Sequence, residues 1–319
     1  MNVFDKKSSL PPGQETLSKS PEDSGAGAAQ PPSAPAELPL AGDPISLAAT
    51  VPSTLTTYSP KSPLPEDLRI SWSWTHLVLF LFFGFFSLIL IQAGFAIYYA
   101  PLHHFSNEKD FERFVLSKPV FAIGSMVIWY AFIFLFLYVT LAVLRGFPFW
   151  RTLGWRRITR RNGGAPPSPW IYFFSGCALS LVVFVVTAKV QPPENVPIEE
   201  LFRYKNTALL FMAMAVLVAP LVEETVFRGY LYPLLAKSFG VATSVIVTGV
   251  LFGLMHGAQL GWTWRLVLVL IVVGIIFTFA RARSGSVFAS FLLHLGYNSM
   301  IAAVTILGTQ GFTKMPSAH

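Results

Sequence analysis

The strongest constraint on the fold is a series of about seven apolar stretches, each long enough to cross the hydrocarbon core of a bilayer as a helix. With 53% hydrophobic and 12% charged residues and a mean hydropathy of +0.57, the chain is too apolar for a water-soluble globule. The stretches are continuous rather than alternating, which favours helices over a membrane β-barrel. They cover residues 74–99, 120–144, 170–190, 208–235, 241–260, 264–280 and 287–307.

These stretches predict an all-α fold, a polytopic transmembrane helix bundle of about seven spans. The fourth stretch contains Pro220, which lacks a backbone donor and should kink the helix shortly before Glu223. If the kink divides this stretch into a span and a re-entrant helix, the bundle has about eight membrane segments. The single cysteine, Cys177, excludes an internal disulfide framework and a multi-thiolate metal site.

Composition divides the chain into three parts. Residues 1–68 are rich in Pro, Ser, Ala, Gly and Thr and cannot bury enough apolar surface to offset their chain entropy, so we predict a disordered tail. Residues 69–200 hold the first three apolar stretches together with a basic loop. Residues 201–310 hold the remaining stretches and the polar residues discussed below.

Charge predicts the orientation of an integral, multi-pass membrane protein. The loop after the second stretch is strongly basic, and basic loops stay on the cytoplasmic side. Its arginines are Arg145, Arg151, Arg156, Arg157, Arg160 and Arg161. We therefore predict that the loop 145–169 and the N-terminus are cytoplasmic and that the C-terminus is external. Although the pI is about 9.5, these arginines lie in a loop between membrane stretches, so we expect the lipid bilayer as a partner and no nucleic acid.

Two adjacent acids stand out because charge inside a bilayer is costly unless it is paired or faces a wet cavity. Glu223 and Glu224 are the only acids within any of the apolar stretches. Arg228 follows Glu224 at the i,i+4 spacing, which predicts a salt bridge on one helix face. Glu223 points about 100° away from that face and has no partner in its own helix. A free carboxylate in this position suits a general base.

Two histidines lie at a similar depth in other stretches. His256 follows Phe252, and His294 precedes Asn298, each at the i,i+4 spacing. Counted from the basic edges at the helical rise, Glu223, His256 and His294 come out roughly 15 to 20 Å deep. Three helices would therefore bring polar groups to one level, as a water-filled intramembrane site requires.

The glycines beside His256 predict close helix packing. Gly249, Gly253 and Gly257 repeat at every fourth position, which is the small-xxx-small pattern of helix pairs in membranes. Such a ridge would also help a neighbouring helix bring its carboxylate near His256.

The segments EETVFR, FGLMH and HLGYN resemble, in this order, the three motifs EExxxR, FxxxH and HxxxN of the CAAX prenyl protease and bacteriocin-processing (CPBP or Abi) family of intramembrane endopeptidases. The resemblance covers about residues 208–307, so we expect the part 201–310 to be the catalytic transmembrane domain. It implies peptide-bond hydrolysis within the membrane. Eukaryotic and archaeal members remove the tripeptide after a prenylated cysteine, and bacterial members process or resist small peptides.

The resemblance also implies a role for each motif residue. Glu223 and His256 would bind and activate the attacking water, while His294 and Asn298 would stabilise the oxyanion. Glu224 and Arg228 would hold the site in shape. The expected substrate is a membrane-anchored peptide or protein, with prenylated CAAX proteins as one candidate. We expect no metal cofactor. The alternative is a zinc metalloprotease with Glu223, His256 and His294 as the ligands, although the chain has no HExxH motif.

Two non-protease interpretations stay open at this point. A non-catalytic membrane scaffold or immunity protein would bind partner helices without using the motif. A proton-coupled carrier would also need an intramembrane Glu and His, but the first half of the chain has no second EE-like segment that would indicate an inverted repeat. Among intramembrane proteases, an aspartyl dyad is excluded because no Asp follows Asp110.

Overall fold

The computed structural model describes residues 64–99, 119–159, 164–190 and 205–312, together with the single residues 107, 110 and 114. These residues form helices and no strand, as predicted. Most of the predicted tail, residues 1–63, lies outside the described residues, as do parts of the predicted loops. The helices are α1 (Trp74–Tyr99), α2 (Pro119–Leu137, continued by a π-helical turn over Tyr138–Val143), α3 (Phe149–Thr152), α4 (Pro169–Thr187), α5 (Lys205–Phe239), α6 (Val241–Met255), α7 (Trp264–Ser284) and α8 (Val287–Gly308).

Six of these helices are long and apolar enough to cross a membrane, which makes the chain an integral multi-pass protein. They are α1, α2, α4, α5, α7 and α8. The predicted fifth span, residues 241–260, is only in part a regular helix. Helix α6 has 15 residues and ends at Met255, and Ala258–Leu260 forms a separate 3₁₀ turn. The fourth stretch is one continuous helix, so Pro220 does not divide it into two.

Helix α5 accommodates Pro220 by changing its hydrogen-bond register. Over Met214–Val218 the helix is π-helical, and the N–H of Ala219 donates to the carbonyl of Met214. The next bond in this register would run from residue 220 to Ala215, but proline has no N–H to donate. The side chain of Asn298 replaces that donor, since its Nδ2 lies 2.7 Å from the Ala215 carbonyl. A neighbouring helix thus stabilises the bend just before Glu223.

The glycine ridge brings α6 into backbone contact with α7, as the sequence predicts. A Cβ atom on Gly253 would lie 2.6 Å from the backbone nitrogen of Ile271, and one on Gly249 would meet the backbone of α7 one turn further on. Gly257 is different, because a Cβ there would meet the ring of Trp262. Gly249 and Gly253 therefore allow α6 and α7 to approach each other closely.

Helices α4 and α8 are joined in the same way. A Cβ on Gly176 of α4 would collide with the carbonyl of Leu293, and one on Gly296 of α8 would collide with the carbonyl of Phe173. Cys177 lies in this interface, where its thiol donates to the Gly296 carbonyl at 3.3 Å. The cysteine is thus a packed residue.

The segment 64–73, which we call the N-terminal strap, packs on the end of the bundle that carries the basic loop. Glu66–Leu68 forms a 3₁₀ turn, and Leu68 is fully buried against Tyr232. Trp72 stacks on Tyr230 with the ring centroids 5.3 Å apart. Residues 64–68, the last five of the predicted tail, therefore pack on the bundle. Composition alone does not reveal that single residues of a polar segment find buried partners.

Candidate active site

The carboxylate of Glu223 faces two imidazoles that come from other helices. Its Oε2 lies 3.9 Å from Nε2 of His256 on α6 and 3.9 Å from Nε2 of His294 on α8. This oxygen is buried and has no hydrogen-bond partner within the described residues, although 20% of the side chain is exposed. Polar atoms separated by this distance are commonly bridged by one water molecule. The three helices thus leave 3.9 Å between the carboxylate oxygen and each ring nitrogen, and we call this separation the gap.

His256 is held by the end of its own helix. It is the C-terminal cap of α6, directly after Met255, and its Nδ1 lies 2.8 Å from the carbonyl of Phe252 one turn earlier. Because a carbonyl only accepts, Nδ1 must carry the proton that is donated. In the neutral ring Nε2 therefore has a lone pair directed to Glu223.

His294 is held by the second carboxylate. Its Nδ1 lies 3.0 Å from Oε1 of Glu224, which in turn accepts from Arg228 at 2.9 Å. Glu224 and Arg228 are both completely buried, so this carboxylate is ionised only because of its partners. An ionised carboxylate accepts, so Nδ1 of His294 carries the proton and Nε2 has the lone pair. Three hydrogen-bond acceptors therefore face the gap: Oε2 of Glu223 and the Nε2 atoms of His256 and His294.

Arg228 is surrounded by more groups than the i,i+4 pair that the sequence predicts. Its Nη2 donates to the carbonyl of Gly274 at 2.9 Å and its Nε to Oγ1 of Thr278 at 3.2 Å, both on α7. The guanidinium also lies 4.4 Å from the ring centroid of Phe252, a cation–π contact. Gly274 and Thr278 were not predicted as site residues. The sequence indication for them is that the two lie four positions apart inside an apolar stretch, which places both on one face of α7.

The structure brings five of the six predicted site residues together in one cluster: Glu223, Glu224, Arg228, His256 and His294. Asn298 lies one turn after His294, but its amide nitrogen bonds to the Ala215 carbonyl. Asn298 thus has a structural contact that the sequence did not predict. One N–H of the amide stays available for another acceptor.

The chemical types of these three ligands suit a zinc ion, but the distances between them do not. One carboxylate and two imidazole lone pairs, each ring fixed through its other nitrogen, are a common zinc set. Tetrahedral ligands of Zn²⁺ lie about 3.3 Å apart, whereas Glu223 lies 3.9 Å from each ring nitrogen. Within the described ranges, no group of three or more His, Cys, Asp or Glu side chains is arranged to hold a metal ion.

A multi-pass helical bundle with this cluster in its interior is similar to CAAX-type intramembrane proteases over the part of the chain that carries the cluster. Residues 205–300 match the family model described as Rce1-like, type II CAAX prenyl endopeptidase Rce1-like. This confirms the resemblance to the CPBP family, and the matched range contains all six predicted site residues. No curated protein and no solved structure matches the chain.

Proposed function

We propose that the protein cleaves a peptide bond of a membrane-associated substrate with a water molecule held between Glu223, His256 and His294. The observation that supports this proposal is the gap itself. A buried carboxylate oxygen without a hydrogen-bond partner faces two imidazole nitrogens at equal distances of 3.9 Å. A water in the gap would donate to two of these three acceptors.

Glu223 acts as the general base in this proposal. It removes a proton from the water while the water oxygen bonds to the scissile carbonyl carbon, and His256 orients the water through its Nε2 lone pair. The tetrahedral intermediate then collapses, the C–N bond breaks, and the leaving nitrogen takes the proton from Glu223. One water is consumed, and one new carboxylate and one new amine are formed.

The pair Glu224–Arg228 positions the site. Because Glu224 accepts from Nδ1 of His294, it fixes both the tautomer and the ring orientation of that histidine. Arg228 keeps Glu224 ionised and ties it to α7 through the Gly274 carbonyl. In this proposal Glu223 takes part in the reaction, whereas the adjacent Glu224 holds His294 in position.

The family match supports the substrate class that we propose. We propose a prenylated CAAX-type protein or peptide whose lipid lies in the bilayer and whose C-terminal residues reach the gap. The predicted cytoplasmic side of the basic loop is the side on which such substrates occur.

The proposed reaction is metal-free. In the zinc alternative, Glu223, His256 and His294 would hold the ion, which would supply Lewis-acid activation of the water. Purified protein of full activity and less than about 0.1 zinc per chain supports the metal-free form. Stoichiometric zinc whose removal and return abolish and restore cleavage would establish the alternative.

The test of the proposed function is the substitution Glu223→Gln, which keeps the shape of the side chain and removes the base. The protein is purified into lipid nanodiscs with a farnesylated CAAX peptide, and release of the tripeptide is followed by mass spectrometry. We expect kcat to fall at least about 10²-fold, the usual contribution of a general base. The matched control is Glu66→Gln, which removes the same charge from a side chain that is 67% exposed.

Three results decide between the interpretations. Equal cleavage by the E223Q and E66Q variants contradicts the proposed chemistry. Cleavage of an unprenylated analogue at the same rate contradicts the substrate class only. If E223Q complements loss of the native chain in its host as well as the native protein does, the scaffold interpretation replaces catalysis.

A further inference from the structure

Helix α2 packs against the part of α5 that carries the site, and one of its polar side chains falls at the level of Glu223. Ile133 and Leu137 of α2 are buried in a hydrophobic cluster with Tyr230 of α5, and Val226 packs against the same cluster. Tyr130 lies one turn before Ile133 on the same face of α2. The next residue along this interface is therefore a tyrosine, whose side chain is a phenol.

The register of the two helices puts this phenol at about the level of Glu223. They run in the same direction, because α2 contacts the segment Lys205–Ala213 at the beginning of α5 and the cluster around Tyr230 further along. Tyr130 and Leu137 are separated by the same number of residues as Glu223 and Tyr230, which is about two turns in the α-helix of α2 and somewhat less in the π-helical segment Glu224–Leu231 of α5. The electrostatic influence of Glu223 on Tyr130 agrees with this register.

The motif residues supply at most one hydrogen-bond donor to an oxyanion in this arrangement. Nε2 of His256 and Nε2 of His294 are acceptors, because each ring donates from Nδ1. The amide of Asn298 donates one N–H to the Ala215 carbonyl, which leaves it one N–H for a second acceptor. A developing oxyanion is stabilised by donors directed at it before the reaction.

Tyr130 has an unused donor. Its side chain is half-buried, and within the part of the chain that the structure describes its hydroxyl makes no hydrogen bond. A phenol is neutral, so it avoids the cost of placing another charge beside Glu223 in a membrane interior.

We infer that Tyr130 is a further catalytic residue, whose hydroxyl donates a hydrogen bond to the oxyanion of the tetrahedral intermediate. When the water oxygen bonds to the carbonyl carbon, the π electrons of the C=O move to its oxygen, and the Tyr130 O–H donates to that oxygen. The phenol keeps its proton throughout, and the bond weakens when the carbonyl re-forms and the C–N bond breaks. This inference rests on the proposed function of the Glu223 site.

The test compares Tyr130→Phe with Tyr138→Phe in the nanodisc assay. Tyr138 is a matched control because it lies in the same helical span and is 50% exposed. We expect Y130F to lower kcat about 10²-fold or more, with a much smaller change in KM, because the donor acts in the transition state. Y138F should behave like the native protein. The thermal midpoint of Y130F should match that of Y138F.

A pH–rate profile separates this role from one in which Tyr130 only positions Glu223. A donor to the oxyanion leaves the midpoint of the acid limb unchanged, so a lowered kcat with an unmoved midpoint supports the inference. If the midpoint moves and kcat recovers at the new optimum, Tyr130 acts on Glu223 and the inference is wrong. If Y130F cleaves like Y138F while E223Q is inactive, the inference fails and the proposed function stands. If E223Q itself is fully active, both fail.

Discussion

Among the arginines that the structure describes, two are completely buried, one in the interior of the bundle and one at the end that carries the N-terminal strap. Arg228 pairs with Glu224 four residues away in the same helix, at 2.9 Å. Arg281 pairs with Asp67 at 2.7 Å, across 214 positions of the chain. Each guanidinium also lies near an aromatic ring, Arg228 near Phe252 and Arg281 near Tyr232.

The difference lies in what surrounds each pair. Glu224 and Arg228 are both fully buried, whereas the Asp67 side chain keeps 11% exposure at the surface. When the interior pair is broken, water has no short path to the remaining charge. When the pair at the strap is broken, the strap can detach and let water reach Arg281. Burial of both partners thus decides how much a lost partner costs.

The largest expected effect is that of Arg228→Ala, which leaves Glu224 buried without its cation. Removing one partner of a buried pair costs about 3–5 kcal/mol of folding stability, and the loss should be visible in denaturant unfolding of the protein in micelles. The tautomer of His294 also loses its anchor, so activity should disappear.

Arg265→Ala is the control, because Arg265 is an exposed residue of α7. An R228A variant as stable as R265A would contradict the assignment of the interior pair as the central brace of the site.

A smaller effect is expected for Asp67→Asn. This change weakens the charged hydrogen bond to Arg281, worth about 2 kcal/mol, and should release the strap more than it disturbs the site. Limited proteolysis between residues 64 and 73 should therefore accelerate, while kcat changes little.

Glu66→Gln is the neighbouring control for the strap, since the exposed Glu66 side chain forms ion pairs with the exposed Arg151 and the partly buried Arg156. Such pairs contribute about 0–1 kcal/mol. Equal proteolysis of the D67N and E66Q variants would show that the Arg281 pair does not fasten the strap.

The smallest expected effect on stability is that of removing the neutral side-chain amide of Asn298. Asn298→Ala removes the donor to the Ala215 carbonyl and should cost about 1 kcal/mol of stability. The double variant Pro220→Ala with Asn298→Ala restores a backbone N–H that can donate to this carbonyl, so it should regain most of the loss. If the double variant is no more stable than N298A in the same unfolding assay, Asn298 does not compensate for the proline.

The sequence predicts those features that depend on one helix at a time. The helical membrane fold follows from the apolar stretches, and the Glu224–Arg228 pair follows from its i,i+4 spacing. The common depth of Glu223, His256 and His294 follows from counting residues along each span. The predicted roles of these residues in catalysis stay predictions until the variants are measured.

Features that depend on which helices are neighbours were not predictable in the same way. Counting gives the depth of a residue but not the direction in which its helix faces within the bundle. The contacts of Arg228 with Thr278, of Asn298 with Ala215 and of Asp67 with Arg281 all join different elements. The early end of α6 at Met255 was missed for another reason, because hydropathy does not distinguish a helical residue from an apolar turn.

The glycine contacts also limit where a substrate can enter. Where two backbones touch, as between α6 and α7 or between α4 and α8, there are no side chains to rotate aside, and separating the helices would expose peptide groups to lipid. The contact of α1 and α2 with α5 is instead made by large side chains such as Phe80, Ile133 and Leu137, which can adopt other rotamers. If the proposed lipid-linked substrate enters from the bilayer, we therefore expect it to pass on the α1–α2 side of the bundle.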